Sequence, residues 1–216
     1  MPREPSLLEG LDPDRREAVL ARCVPRRFSR RQPLFHLGDA GDGVHLITLG
    51  RVVVRISIPS GEEASLTVSG PGDAVGEQSL LVGGRRSASA IALEPVQTLF
   101  LSRRRFEDLR GSDARFTELL VQLLASRVLR LTDQLTEALF VPASTRILRR
   151  IFETASLYGT GLIPLTQDEV ASMAGTTRPT VNRVLRAAES AGAVDLARRK
   201  IRVVDAERLQ RLIDDD

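Results

Sequence analysis

The chain has 216 residues, 42% hydrophobic and 27% charged, with a formal net charge of +3. That length suits one large or two modest domains, and the composition is that of a folded protein rather than a disordered one. Cys23 is the only cysteine, which excludes an intramolecular disulfide and a four-cysteine zinc or iron–sulfur site within one chain.

The N-terminal segment from Pro5 to Cys23 reads as short helices, apolar at Leu7, Leu8, Leu11, Val19 and Leu20. Met1–Gly10 lacks the apolar run of a signal peptide, and no stretch reaches the roughly 18 apolar residues of a membrane span. The expectation is therefore a cytoplasmic protein without a membrane partner. From Phe28 to Leu101 the pattern changes to short apolar runs: Val44–Leu49, Val52–Ile58, Leu66–Val68 and Val96–Leu101. Gly38, Gly41, Gly43, Gly50, Gly61, Gly70, Gly72, Gly83 and Gly84 punctuate them, so a small β-barrel or sandwich is predicted.

Asp113 to Phe140 contains no Gly or Pro, and Leu120, Leu124, Val128, Leu131, Leu135 and Leu139 recur at spacings of three or four. This predicts one long helix whose stripe resembles a coiled-coil seam. Phe116, Leu119 and Leu123 begin a second apolar face, suited to packing on the β-domain. Pro142 ends the helix and marks a hinge. Arg146–Tyr158 reads as another helix, apolar at Ile147, Leu148, Ile151, Phe152 and Ala155. Gly159 and Gly161 close it, and Pro164 starts the next unit.

Thr166-Gln167-Asp168-Glu169 fits a capping box, in which the Thr hydroxyl accepts from the Glu amide and the Glu carboxylate accepts from the Thr amide. A short helix follows, then a turn at Gly175 and a second helix capped by Thr176 or Thr177. Pro179 is tolerated in its first turn. Val181, Val184, Leu185 and Ala188 point inward, which leaves Arg178, Asn182, Arg183 and Arg186 outside. Ala193–Val194 and Ile201–Val204 read as two strands joined by a basic tip, Arg198-Arg199-Lys200. Seven basic residues lie between Thr176 and Val204, against only Glu189 and Asp195. That order of parts predicts a winged helix-turn-helix on duplex DNA. Arg178 and Arg183 suit base edges, and Thr177 and Thr180 suit phosphates. Gln167, Pro179 and Asn182 complete the candidate face, with Arg199 and Lys200 on the wing.

Three segments together resemble the cyclic-AMP receptor protein and fumarate–nitrate regulator (CRP/FNR) family of bacterial transcription regulators. They are Leu34–Gly41 followed by Val44–Gly50, then Gly76-Glu77 followed at nine residues by Arg86-Ser87-Ala88, and Leu165–Leu185 with its wing. The resemblance implies an α+β fold. A cyclic-nucleotide-binding β-roll (a double-stranded β-helix or jelly roll) with N-terminal helices would occupy 1–112. A dimerisation helix would occupy 113–140, and the DNA-binding winged helix 141–216. It also implies a homodimer on a pseudo-palindromic site, RNA polymerase as a partner, and cyclic AMP as the effector. Cyclic GMP or another small ligand remains open.

Within that resemblance, Arg86 neutralises a cyclic phosphate through a forked hydrogen bond, with Ser87 and amides near Ala88 as further donors. Glu77 accepts from the ribose 2′-hydroxyl, Gly76 permits close backbone approach, and Gln78 lies beside them. Burial of Glu77 and Arg86 in one pocket would also let them pair. Leu131 and Thr132 fall where the family touches the base, with Thr132 as the polar candidate. The sequence departs from the family pattern at Val75, Gln78 and Arg85. Pro179 stands where the best-known member has a Glu that helps read a cytosine. A haem sensor fits poorly, since His36 and His45 both lie on the first hairpin. Walker A, GxSxG, HExxH and CxxC motifs are all missing, so no catalytic residue or metal ligand is expected. A constitutive DNA-binding regulator, whose β-roll serves only dimerisation or protein contact, is the alternative.

Overall fold

The computed structural model describes residues 12–57, 63–158, 161–163, 165–197 and 200–215. Leu7, Leu8, Leu11, Gly61, Gly159, Pro164, Arg198 and Arg199, all used in the sequence reading, lie outside the described residues. The chain divides into two compact units, Met1–Glu63 with Thr67–Leu129, and Ala64–Leu66 with Arg130–Asp216.

The first unit opens with helix α1 (Pro13–Leu20), capped by the Asp12 carboxylate, which accepts from the Arg15 amide. Eight strands follow: β1 (Val24–Phe28), β2 (Pro33–Phe35), β3 (Gly43–Leu49), β4 (Val52–Ser57), β5 (Glu63–Ser69), β6 (Ala74–Val75), β7 (Ser89–Ala92) and β8 (Val96–Ser102). A short helix, α2 (Gln78–Leu81), separates β6 from β7. The strands form two sheets, ordered β1-β8-β3-β6 and β2-β7-β4-β5, with every described pairing antiparallel. This is the expected β-roll, with β1, β2, β6 and β7 added to the strands read from apolar runs.

β3 shows how the alternation of a strand builds two cores. Val44 and Leu46 join Val19, Leu101, Phe106, Leu109 and Phe116 in one apolar cluster. Ile47 joins Val52, Val75, Ala90, Ala92 and Val96 in the other. The first cluster is closed by helix α3 (Arg103–Ser112) and the beginning of helix α4 (Ala114–Phe140). The expected inner face of α4 is present: Phe116, Leu119 and Leu120 are buried, and Leu123 packs on the same cluster. Farther along, Leu124, Val128, Leu131, Leu135 and Leu139 are exposed. Cys23 is half-buried and its Sγ lies 3.4 Å from the Val19 carbonyl oxygen as a donor.

The second unit continues with α5 (Ala143–Tyr158), β9 (Leu162–Ile163), α6 (Gln167–Met173), α7 (Arg178–Ser190), β10 (Val194–Ala197), β11 (Lys200–Val203) and α8 (Ala206–Asp214). Its three strands are ordered β10-β11-β9. Ile147, Ile151, Leu165, Val181, Leu185, Ile201 and Leu209 are its fully buried interior. β9 and α8 were not anticipated from the sequence. Among the described residues no helix is long and apolar enough to cross a membrane.

Candidate functional site

The Gly76–Ala88 segment folds as the sequence suggests, but its two charges do not pair with each other. β6 ends at Val75, and Gly76 then takes φ +92°, a conformation that favours glycine. A Cβ there would run into the Arg86 guanidinium. Glu77 stands at the N-cap position of α2 without a side-chain capping bond and is 1% exposed, while Arg86 is 2% exposed. Arg86 Nη1 donates to the Gly76 carbonyl (2.7 Å) and to Ser79 Oγ (3.0 Å). Nη2 donates to Asp42 Oδ1 (2.6 Å) and to the Gly43 carbonyl (2.7 Å). Its guanidinium carbon sits 4.1 Å from the centre of the Phe35 ring. The expected fork to a ligand is therefore already spent on the protein. Nε remains, buried and without a hydrogen bond.

The partner of Glu77 is Arg127, from α4, which forms an ion pair with its Oε1. Apart from this pair, both buried carboxylate oxygens accept no hydrogen bond. Burial pushes the Arg86 guanidinium below its ordinary range, and the Asp42 carboxylate pulls it back up. Asp42 itself is two-thirds exposed at its side chain, so this pair joins a buried cation to an accessible anion.

Backbone bonds tie the Asp39–Gly43 loop to the cassette. The Gly38 amide donates to the Arg86 carbonyl (2.9 Å), and the Arg86 amide donates to the Asp39 carbonyl (2.8 Å). Arg85, one of the departures from the family pattern, donates through Nη1 to the Gly38 carbonyl (2.7 Å). Arg103, at the start of α3, donates to the Gly41 carbonyl (2.7 Å) and the Ser79 carbonyl (2.9 Å).

Gly76, Glu77, Gln78, Arg86, Ser87 and Ala88 all line one cavity, together with Phe35, Val54 and Arg127. Ser87 Oγ donates to Gln78 Oε1 (3.0 Å) across its mouth. Thr132 is not among the lining residues; it is exposed farther along α4. Asp42 and Arg127 escaped the sequence reading because each lies far along the chain from Gly76-Glu77 and Arg86. The cavity encloses about 40 Å³, against roughly 300 Å³ or more for a site that holds a drug-sized molecule. The residue types fit a cyclic nucleotide: a desolvated cation with one unused donor, a carboxylate with unused acceptor capacity, and a cradle from which a Cβ is absent. A nucleotide would need more room than this, and Arg127 and the Ser87–Gln78 pair are the polar side chains that bound the space.

The second cluster lies in the second unit. Thr166 and Glu169 form the predicted capping box, with Thr166 N donating to Glu169 Oε2 (2.7 Å) and Glu169 N donating to Thr166 Oγ1 (3.2 Å). Gly175 makes the turn at φ +60°. Thr177 is the N-cap of α7; its hydroxyl lies 3.1 Å from that of Thr180, and the side chain makes no capping bond. Pro179 falls in the first turn of α7. Val181, Leu185 and Ala188 are buried, whereas Arg178, Pro179, Asn182 and Arg183 are exposed and Thr180 is half-buried. Gln167, Arg178, Asn182 and Lys200 share an open cleft of about 550 Å³ between the two helices and the β10–β11 hairpin. Lys200 is the first residue of β11, paired with Ala197. Glu189 joins helix to hairpin by accepting from Arg186 Nη1 (2.7 Å) and from the Leu196 amide (3.1 Å).

Arg146 is a further residue that the sequence reading missed. Its Nε donates to the Ala174 carbonyl (2.9 Å) and its Nη1 to the Val141 carbonyl (2.7 Å). One guanidinium thus joins the helix-turn-helix turn to the segment that follows α4.

Comparison with known proteins finds two families along the chain. Residues 25–113 match the cyclic nucleotide-binding domain family, and residues 124–212 match the Crp-like helix-turn-helix domain family. The chain is 34% identical over 209 residues to the "Cyclic AMP receptor protein" of Thermus thermophilus, covering 95% of each. This chain belongs to the CRP/FNR family of transcription regulators. Another member, the "CRP-like cAMP-activated global transcriptional regulator" of Mycobacterium tuberculosis, is 29% identical over 95% of each chain. The fold is shared with the c-di-GMP responsive global regulator CLP of Xanthomonas campestris, at 20% identity and a TM-score of 0.75, over 89% of this chain and 99% of that one. As a CRP/FNR regulator, the chain carries a DNA-binding helix-turn-helix in α6 and α7 and a cyclic nucleotide-binding type of domain in its β-roll.

Proposed function

We propose that the protein is a homodimeric transcription regulator whose affinity for a pseudo-palindromic DNA site is set by cyclic AMP. The observation that carries this reading is the Glu77–Arg127 ion pair, which joins the pocket to the long helix. In the proposed mechanism the cyclic phosphate takes the free Nε–H of Arg86 and the hydroxyl of Ser87. The ribose 2′-hydroxyl donates to Glu77, and the Glu77–Arg127 pair is re-formed around the ligand. Gly76, Gln78 and Ala88 bound the cradle, and Thr132 is assigned to the base edge. Residues 1–112 would then sense the effector, 113–140 would pair two chains through the exposed leucine stripe, and 141–216 would bind DNA.

In the DNA-binding part, Arg178 and Arg183 are assigned to base edges. Gln167, Thr177, Thr180 and Asn182 are assigned to the surrounding contacts, and Arg199 and Lys200 to the wing. Pro179 offers no hydrogen-bonding side chain, so the middle of the half-site is read differently from that of the best-known relative. RNA polymerase is the partner on which such a regulator acts. Control by the ligand requires that it bind the DNA-competent state more tightly than the other.

The test is calorimetry with cyclic AMP and cyclic GMP, followed by operator titration with and without the bound nucleotide. Heat with cyclic AMP, and a gain in operator affinity that Arg127→Ala abolishes, is the expected result. Equal operator affinity despite measurable nucleotide binding would sink it. A second reading is favoured by the small cavity and by Arg86, whose two Nη groups already donate to the protein: a regulator that works without an effector. It predicts no heat with either nucleotide and full DNA affinity in the unliganded protein.

A further inference from the structure

The cleft between α6, α7 and the β10–β11 hairpin carries basic and neutral polar groups: Gln167, Arg178, Asn182, Arg186 and Lys200. Asp168 is the exception, the only acid among the described lining residues. On a face assigned to phosphates and base edges, a carboxylate repels every DNA sequence alike, so its presence there needs a cause. Folding supplies little of one. The N-terminus of α6 is already capped by Thr166 and Glu169, whose carboxylate accepts from the Thr166 amide (2.7 Å). Asp168 takes no part in that box, and a second acid in the same turn adds only a small interaction with the helix dipole.

Its position relative to Arg178 supplies the cause. Asp168 Oδ1 lies 3.9 Å from Arg178 Nε, an ion pair between two helices with both side chains about two-thirds exposed. The first turn of α7 contains no acid of its own, and Pro179 follows Arg178 directly, so this carboxylate has to come from α6. Contact at Nε leaves the two Nη groups as the donors for O6 and N7 of a guanine. Gln167, the neighbour of Asp168, reaches the same helix, with its Nε2 donating to Asn182 Oδ1 (3.5 Å). Helix α6 thus braces two side chains of the reading face.

We propose that Asp168 is a positioning residue for sequence readout. It holds Arg178 by Nε so that the guanidinium meets a guanine through both Nη groups, and its charge opposes binding wherever that fork is not made. An exposed arginine samples many rotamers, and holding it before DNA arrives removes part of the ordering cost of binding. A charge that penalises all sequences lowers non-specific affinity, while the Arg178–guanine fork recovers the loss only at the right base pair. Specificity is a difference of affinities, and both effects widen it. The proposal rests on the DNA-binding reading above and on the assignment of Arg178 to a base edge.

The test uses full-length protein with cyclic AMP present throughout and a duplex site selected from random sequence. Arg178→Ala identifies the base pair that Arg178 reads, as the one whose preference it removes, and Arg183→Ala does the same for Arg183. One bidentate fork is worth roughly five- to 150-fold in discrimination. In Asp168→Asn the preference at the Arg178 base pair should fall by about threefold or more, while affinity for a non-specific duplex rises roughly two- to fivefold at low salt, the size of one exposed charge. The preference at the Arg183 base pair should not change. Asp168→Glu, which keeps the charge, should retain the discrimination, and in an Arg178→Ala background Asp168→Asn should have no further effect on it. The Thr166–Glu169 bonds are untouched in every variant. Uniformly higher affinity with the preference unchanged overturns the proposal and leaves Asp168 a repulsive surface charge. So does a loss of preference at both base pairs together, which marks a displaced helix rather than a held side chain. If Arg178→Ala removes no preference, or no site can be selected, the DNA-binding reading fails first and the proposal with it.

Discussion

Arg86 donates to Gly76, Ser79, Asp42 and Gly43, so Arg86→Ala strands buried acceptors as well as removing a cation. It is expected to cost about 3 kcal/mol of stability, measured by urea unfolding. A loss of nucleotide binding in that variant would therefore not by itself identify a ligand contact; Ser87→Ala is the cleaner probe, because Ser87 is exposed. His45 offers a prediction in pH. It is packed among Phe28, Phe35 and Phe100 and bonded to Thr98 Oγ1 at 3.0 Å. Burial, with some repulsion from Arg86, pushes its imidazole from 6.5 down to about 4. The unfolded chain takes up this proton near pH 6.5 and the folded chain only near pH 4. Stability is complete above the first value and falls as the pH drops towards the second, by about 3 kcal/mol in all. Urea midpoints across that window check it, and His45→Phe should flatten the slope.

At the scale of elements, the capping box and Arg146 hold the helix-turn-helix in different ways. Thr166→Ala is expected to cost about 1 kcal/mol in the second unit, whereas Thr166→Ser should be nearly neutral. Arg146→Ala leaves the Ala174 and Val141 carbonyls without that donor. It should uncouple nucleotide binding from operator affinity more than it weakens operator binding itself, which titration with and without cyclic AMP would show. The contrast between the two also explains what was legible beforehand. Thr166 and Glu169 are three residues apart, and Leu120 to Leu139 repeat within one helix; local patterns of this kind are written in the chain. Gly76-Glu77 and Arg86-Ser87-Ala88 were picked out through the family resemblance, and they line one cavity. Asp42 and Arg127 were not, because only the packing of the β-roll brings them to Arg86 and Glu77. β1 escaped because its ladder to β8 is what makes Val-Pro-Arg-Arg-Phe a strand; alternation and burial do not. β6 and β9, two residues each, carry no pattern at all.

For the whole molecule, the proposed dimer depends on leucines that a single chain leaves in water. Leu131, Leu135 and Leu139 are exposed on α4. Leu131→Glu/Leu135→Glu should shift sedimentation to the monomer and weaken binding to a two-half-site duplex far more than to a single half-site. The small cavity has a further consequence, one of time. On the proposed reading, a pocket with only about 40 Å³ of free space would admit a nucleotide after side chains at its wall move aside. Association would then be gated: in stopped-flow mixing, the observed rate should climb with nucleotide concentration and level off at the opening rate. A cell that suddenly raises its nucleotide level would be answered at a pace set by Glu77 letting go of Arg127, however abundant the signal becomes.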